Sequence, residues 1–260
     1  KNKGEKMYID THCHLLDEKI NDIENILKRA RELNVQKFIT CATDLNSSID
    51  AVKFADSHDG VYASIGLYPE YAQQYNDQFE SEIAKLAQNK KVVAIGEIGL
   101  DYSLLDCDRA KQKEVFARQL NLANDLKKPI VIHCREAYGD LITLLKSHRN
   151  LLKSGGTCHC FTASKEIASE ILKLDLHISI GGVSTFKNAE NVRNMLKTLP
   201  LSRILLETDS PYLAPHPFRS QINTPCFIPI IAHSLADTLG VSPEEIEVAT
   251  TTNARRLFNI

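Results

Sequence analysis

The sequence predicts an α/β fold, a single-domain (β/α)8 TIM barrel. Eight short runs rich in β-branched and aliphatic residues alternate with segments whose apolar residues recur three and four positions apart, over a chain of 260 residues. Eight such repeats in this length are typical of one barrel. An open doubly wound sheet shares the alternation, but it favours a glycine-rich turn after its first strand, where this chain has Thr11-His12-Cys13-His14. The barrel is therefore the favoured fold.

The predicted strands follow from local composition, because β-branched residues favour extended backbone. In chain order they occupy residues 8–10, 37–43, 61–66, 92–96, 129–133, 156–159, 177–181 and 204–207. The first predicted helix has its apolar face at Ile20, Ile23, Leu27, Ala30 and Leu33. The helix before the fifth strand has its apolar face at Phe116, Leu120, Ala123 and Leu126, and Pro129 stops it. Helices over 228–239 and 243–258 end the chain, the second with a capping box formed by Ser242 and Glu245.

The composition is that of a globular protein, with 43% hydrophobic and 25% charged residues. The net charge is −2, so no global positive field attracts nucleic acid and any such contact must be local. The apolar runs are too short for a transmembrane helix, and no N-terminal segment resembles a secretion signal. Seven cysteines without a C-x-x-C pair indicate reduced thiols. We expect a cytoplasmic protein without membrane association or an obligate protein partner.

The first residues of the chain differ from the remainder. Residues 1–6 precede Met7 and are strongly polar, so we expect them to be a remnant of recombinant expression. No proline-rich or serine-rich linker interrupts the chain from Met7 onward. The barrel is therefore predicted to occupy residues 7–260 as one domain.

Potential metal ligands fall at the ends of strands spread over the whole chain. The carboxyl ends of barrel strands meet in one pocket, so residues distant in sequence are expected to lie together there. Imidazole and carboxylate groups in one pocket suit divalent metals and predict a two-metal hydrolase. A single histidine at such a position is more often a satisfied core residue, and the prediction depends on the whole set. That set is His12, His14, Glu97, His133, His159 and Asp209.

The spacing within this set supports the prediction. His12 and His14 are two apart in an extended chain, so both can reach one ion while Cys13 faces away. Glu97 lies between glycines that allow close backbone approach, and its two oxygens can bridge two cations. Asp209 follows the eighth strand, which adjoins the first in a closed barrel. It can bind the ion of the His12 and His14 pair and also accept a proton from water.

Four further residues are candidates for substrate contact above the same strand ends. Arg135 and Arg219 can bind phosphate, and Tyr102 and Phe161 can stack on a base. Each residue alone is more typical of surface or rim packing. Their common position favours a role in binding.

Six segments of the chain resemble the motifs of TatD-type deoxyribonucleases. They are IDTHCHL at 9–15, GEIGLDY at 96–102, IHCRE at 132–136, HCFT at 159–162, GGVSTFK at 181–187 and LETDSPYL at 206–213. The resemblance covers nearly the whole chain from Met7. It implies a metal-dependent TIM-barrel hydrolase of the amidohydrolase superfamily that cleaves DNA phosphodiester bonds. Near-neutral charge fits action on strand ends or short single-stranded pieces better than action along duplex DNA.

The resemblance also implies roles for the six ligands. They are expected to hold two divalent ions (Mg, Mn or Zn), one on His12, His14, Glu97 and Asp209 and the other on Glu97, His133 and His159. Glu97 and Asp209 are the expected catalytic residues, Glu97 by serving both ions and Asp209 as general base. The chain departs from the family pattern at Tyr68, where many members have histidine, and at Thr224, where glutamate is common.

Two alternatives use the same barrel. An amidohydrolase, lactonase or phosphotriesterase can use a similar dinuclear site, but many of these bridge their metals with a carboxylated lysine from the fourth strand. Glu97 occupies that position here and favours the nuclease. A catalytically poor barrel that only binds a partner is disfavoured by the complete ligand set.

Overall fold

The structure, a computed structural model, describes residues 6–106 and 108–260, so most of the predicted N-terminal remnant lies outside the described residues. Eight strands form one sheet in the order β1 to β8, and each pairs in parallel with the next. The strands are β1 Tyr8–Cys13, β2 Val35–Cys41, β3 Val61–Ile65, β4 Val92–Asp101, β5 Ile130–Arg135, β6 Gly156–Cys158, β7 His177–Ile180 and β8 Ile204–Leu206. The (β/α)8 prediction is confirmed.

The sheet closes between β1 and the end of β8. The Asp209 amide donates to the His12 carbonyl oxygen at 2.9 Å, and the His14 amide donates to that of Ser210 at 2.7 Å. The buried Asp10 side chain accepts two hydrogen bonds from Thr208, one from the backbone amide at 3.0 Å and one from the side-chain hydroxyl at 2.5 Å. These contacts place the first and last strand ends side by side.

Helices follow the strands and cover the outside of the barrel. They are α1 Ile23–Glu32, α2 Leu45–Ser57, α3 Asp77–Leu86, α4 Arg109–Asp125, α5 Tyr138–Ser147, α6 Lys165–Lys173, α7 Glu190–Leu196, α8 Ile228–Leu239 and α9 Pro243–Phe258. The capping box of Ser242 and Glu245 on α9 is confirmed. The prediction that Ile20 belongs to the first helix is wrong. The Ile20 amide closes a turn on the Asp17 carbonyl oxygen, and α1 begins only after Asp22, whose φ is 54°.

Apolar side chains fill both sides of the sheet. One cluster lies between strands and helices, and it includes Leu27, Phe38 and Phe116. A second cluster joins the side chains of Ile9, Ile39, Val131 and Leu205 to Phe258 of α9. Because this second cluster fills the lower part of the barrel, chemistry is confined to the carboxyl ends of the strands.

The described residues contain no single helix with the length and apolar character needed to span a membrane. Only Pro225–Leu239 together with Pro243–Phe258, a pair bent by 111°, has the length and composition for one. The cysteines in the described part of the chain are all free.

Candidate metal centre

The predicted ligands converge at the carboxyl ends of the strands around one buried carboxylate. Glu97 Oε2 lies 3.4 Å from His12 Nε2 and 3.5 Å from His14 Nε2. Its other oxygen, Oε1, lies 2.9 Å from His133 Nδ1 and 3.0 Å from His159 Nε2. Each Glu97 oxygen therefore faces its own pair of imidazoles, as expected of a carboxylate that bridges two cations.

Asp209 completes the half of the site built on β1. Its Oδ1 lies 3.6 Å from His12 Nε2 and 3.5 Å from His14 Nε2. Asp209 has a φ of 57°, a left-handed conformation that aspartate tolerates better than most residues. This turn directs the carboxylate back over the barrel and into the lining of the cavity above the site.

The backbone around Glu97 explains the neighbouring glycines. Strand β4 continues to Asp101, five residues beyond its predicted end, so Glu97 lies inside the strand. A Cβ on Gly96 would lie 2.6 Å from the Val131 Cβ, and one on Gly99 would overlap the His133 carbonyl oxygen. Only glycine lets β4 run this close to β5, and that approach puts Glu97 beside His133.

The donor atoms fit divalent metal ions. Ligand atoms of His12, His14 and Glu97, and likewise those of Glu97, His133 and His159, lie within 4.8 Å of one another and can hold an ion. His12 Nε2 and His14 Nε2 are 3.3 Å apart, and His133 Nδ1 and His159 Nε2 are 3.1 Å apart. Several nitrogen and oxygen donors directed at a common point are the ligand chemistry of a divalent cation.

A second layer of polar groups orients the imidazoles. His14 Nδ1 donates to the Cys41 carbonyl oxygen at 2.9 Å. His133 Nε2 lies 3.2 Å from Asp101 Oδ2, which also accepts from the Tyr68 hydroxyl at 2.9 Å. Pairing with Asp101 keeps a proton on His133 Nε2, so loss of the other proton would leave the lone pair on Nδ1, the atom that faces Glu97. The hydroxyl of Tyr68, at the position where histidine is common in the family, also lies 3.2 Å from His133 Nε2 and so contacts both this imidazole and its carboxylate partner.

Sequence reasoning missed Glu207. This residue is fully buried, and its Oε1 accepts from the Cys160 amide at 2.6 Å. Oε1 also lies 3.6 Å from His159 Nδ1, and His12, His159 and Glu207 form a third group that can hold an ion. The available signal was an acidic residue at the end of an apolar strand, two positions before Asp209.

The electrostatics favour ionised carboxylates, as ligands need, but shift only one of the four imidazoles toward its neutral form. Burial acts to raise the pKa of the Glu97 carboxyl, but the facing His159 and hydrogen bonds from the imidazoles hold it well below its usual range. The Asp209 pKa is also lowered, because the hydrogen bond from His14 and the nearby imidazoles outweigh burial. Burial lowers the pKa of His12 and favours its neutral form.

Burial acts to lower the pKa values of His14, His133 and His159 as well, but the facing carboxylates raise all three, that of His14 to about 8. Because a metal ligand must be a neutral imidazole, metal binding would release protons from these three side chains.

A cavity of about 700 Å³ opens above these residues. Arg135 lines it, as predicted, but Arg219 is not among the described residues that do so. The Arg219 guanidinium lies 3.9 Å from the centre of the Phe186 ring. A position after a strand end therefore did not determine whether each arginine side chain faces the cavity.

The structure does not support the two predicted base-stacking residues. Phe161 is 2% exposed and packs edge-on against Tyr138, so no base can reach its ring. Tyr102 is not among the described residues that line the cavity. The Arg109 guanidinium covers its ring at 4.5 Å, and its hydroxyl donates to Asp140 at 2.6 Å. Tyr138 of α5 therefore contacts Phe161, whereas Arg109 of α4 and Asp140 of α5 hold Tyr102.

Comparison with known proteins agrees with this architecture. The family model described as "TatD related DNase" matches residues 9–259. The chain is 39% identical to the uncharacterized metal-dependent hydrolase YabD of Bacillus subtilis, over 98% of this chain and 100% of that protein. It is 35% identical to the 3'-5' ssDNA/RNA exonuclease TatD of Cronobacter sakazakii, over 92% of each chain. The crystal structure of YJJV, a TatD homolog from Escherichia coli, superposes with a TM-score of 0.92 at 31% identity, covering 97% of this chain and 98% of that one.

A (β/α)8 barrel with histidines and carboxylates gathered at its strand ends defines the class of metal-dependent hydrolases. The predicted resemblance is confirmed. This chain belongs to the TatD related DNase family.

Proposed function

We propose that this hydrolase cleaves phosphodiester bonds of DNA, at strand ends or in short single-stranded pieces. The observation that carries the proposal is the position of Glu97, with one carboxylate oxygen directed at each of two histidine pairs. A relative at 35% identity is named as an exonuclease of single-stranded DNA and RNA, which supports the same chemistry.

Two divalent ions fit this donor set, although their number and identity belong to the proposal. His12, His14, Glu97 and Asp209 would hold one ion. Glu97, His133 and His159 would hold the other. When bound, such ions neutralise phosphate charge and make water a stronger nucleophile near neutral pH.

The other steps belong to side chains of this chain. Asp209 lines the cavity with an ionised carboxylate and accepts a proton from the attacking water. Arg135 is the one lysine or arginine among the described residues lining the cavity, and it binds a non-bridging phosphate oxygen. A single lining cation suits one or two phosphates better than a long polyanion.

Removing divalent ions should abolish turnover of a short single-stranded oligonucleotide and leave the barrel folded. The reason is that the ions serve catalysis, whereas the core beneath them is apolar. Turnover before and after chelation should be measured beside the far-UV circular dichroism spectrum. Added Mn or Mg should restore cleavage without a refolding step.

The same assay distinguishes the alternatives. We expect the oligonucleotide to be hydrolysed much faster than a panel of lactones and phosphotriesters. Faster turnover of a lactone or phosphotriester would replace the nuclease proposal with the amidohydrolase-type alternative. Loss of the helical spectrum on chelation would instead show that the metals are structural.

The two arginines should behave differently when replaced by alanine. Arg135→Ala is expected to weaken binding of a short single strand and to reduce the slope of log K against log salt by about 0.7 for each phosphate that the variant no longer neutralises. Arg219→Ala should change the slope less, because Arg219 lies against Phe186 and outside the described lining. Metal content should stay constant in both. A wild-type slope in Arg135→Ala would remove Arg135 from phosphate binding.

A further inference from the structure

The mouth of the cavity has an apolar side that the proposed chemistry does not use. Six large apolar side chains are clearly exposed in the described part of the chain, and three of them line this one cavity. They are Leu16 at 45% exposure, Tyr212 at 41% and Leu213 at 39%, which together are called the apolar wall here. Exposed apolar surface concentrated at a binding cavity indicates a ligand group that covers it.

The apolar wall directly adjoins the metal centre. Leu16 is two residues beyond His14, and Tyr212 is three residues beyond Asp209. The ring centroids of Tyr212 and His14 are 6.3 Å apart. A group resting on the wall is therefore next to the half of the site that contains Asp209.

Hydrogen bonds hold the wall in place. The Tyr212 amide donates to the Asp209 carbonyl oxygen at 2.9 Å, and the Tyr212 hydroxyl donates to Asp17 at 2.6 Å. The buried Asn223 amide donates to the carbonyl oxygens of Tyr212 at 2.6 Å and Thr208 at 2.7 Å. A surface fixed in this way loses little entropy when a ligand covers it.

Leu213 shows that this geometry is maintained against a backbone preference. Its φ is 57°, a left-handed conformation that leucine rarely adopts. A Cβ on Gly182 would overlap the Leu213 carbonyl oxygen, so Gly182 is required for this turn. The result is a leucine side chain exposed at the mouth of the cavity, and burial in a core does not explain that arrangement.

The charges around the mouth restrict what can lie on the wall. Asp17 and Glu70 also line the cavity, and Arg135 is the one lysine or arginine among the described lining residues. The Lys19 ammonium lies over the Tyr212 ring, 4.5 Å from its centre, and Tyr212 is still 41% exposed beside it. Lys19 and Asp17 carry opposite charges at this position, so the wall has no net charge that would favour a second phosphate. Exposed apolar surface next to the reacting phosphate is complementary to an uncharged group with an apolar face, and a nucleobase is such a group.

We infer that the apolar wall binds the base of the nucleotide whose phosphate lies in the metal centre, an inference that rests on the proposed function. The base packs against the exposed part of the Tyr212 ring, beside the Lys19 ammonium, and contacts Leu16 and Leu213. The wall thus replaces Tyr102 and Phe161 as the base-binding element. Because every base has a flat apolar face, the subsite selects for the presence of a base and not for its identity.

The inference is tested with two short oligothymidylates. One has normal nucleotides throughout, and the other has an abasic tetrahydrofuran residue at each of its two ends. The wild-type enzyme should cleave the normal ends with a kcat/KM about 5- to 100-fold higher than that for the abasic ends. Tyr212→Ala and, separately, Leu16→Ala should reduce this preference by lowering kcat/KM on the normal ends alone. Tyr212→Phe should retain it. Leu33→Ala, which removes an exposed leucine at the end of α1, is the matched control.

Equal kcat/KM for both oligonucleotides in the wild type would overturn the inference, as would an equal loss on both in Tyr212→Ala.

A binding measurement separates this result from failure of the proposed function. If neither oligonucleotide is cleaved, calorimetry of the Mn-loaded protein with thymidine 5′-monophosphate and with 2-deoxyribose 5-phosphate decides the point. Tighter binding of the nucleotide that is lost in Tyr212→Ala supports the wall, and equal binding of the two compounds rejects it.

Discussion

Glu97→Gln is expected to lower turnover by at least about 10³-fold, because in the proposed two-ion centre the Glu97 charge would stabilise both ions. Each 1.4 kcal/mol of lost stabilisation corresponds to about a factor of ten. The Glu97 side chain is 3% exposed and its oxygens face four imidazoles, whereas Asp209 faces two of them and Glu207 lies near His159. Glutamine keeps the shape and one carbonyl oxygen but removes the negative charge. Metal content, measured by mass spectrometry after dialysis, should fall together with turnover.

The control for this variant is Glu190→Gln, which makes the same change at an exposed position at the start of α7. It should keep both metal and activity. The circular dichroism spectrum of Glu97→Gln should remain that of the wild type, since the fold depends on the apolar clusters. A Glu97→Gln enzyme with full metal content and normal turnover would contradict the bridging role.

Asp209→Asn is expected to lower kcat by about 10²- to 10⁴-fold while substrate binding changes little. Asparagine keeps the shape and one ligating oxygen, but it cannot accept a proton near neutral pH. The wild-type carboxylate is ionised in that range, because its pKa lies below the usual value. Single-turnover cleavage separates this chemical step from product release.

Metal must be quantified in the same samples, since Asp209 Oδ1 lies 3.6 Å or less from the Nε2 atoms of His12 and His14. Asp237→Asn, an exposed position on α8, is the matched control and should retain normal turnover. A fully metallated Asp209→Asn enzyme with normal kcat would exclude the general-base role. Loss of activity that excess metal restores completely would show that Asp209 acts only as a ligand.

Much of the barrel could be predicted from sequence, because strands and helices leave patterns among residues that are close together in the chain. A strand or helix imposes its own period on nearby residues, and eight alternations leave few folds to consider. The same local rule predicted that His12 and His14 face one point while Cys13 turns away. Cys13 packs among buried apolar residues, and the two Nε2 atoms are 3.3 Å apart.

The convergence of distant residues could also be predicted, although only through the fold. Glu97 and His133 are 36 positions apart in the chain, yet their side chains lie 2.9 Å apart. A parallel barrel brings the carboxyl ends of all its strands to one rim, so strand-end position is sufficient to predict the neighbourhood. It is not sufficient to predict distances, and Glu207 was overlooked for that reason.

Only the tertiary structure decided which side chains above the strand ends face the cavity. Arg135 and Arg219 have similar positions in the sequence pattern, yet Arg135 lines the cavity and Arg219 lies over Phe186. Phe161 is buried, whereas Leu213 is exposed at the mouth. The direction of a side chain in a loop depends on the helices packed beneath it and on residues such as Gly182 that lie close only after folding. Such contacts produce no periodic pattern in the local sequence, and they determine what the cavity can bind.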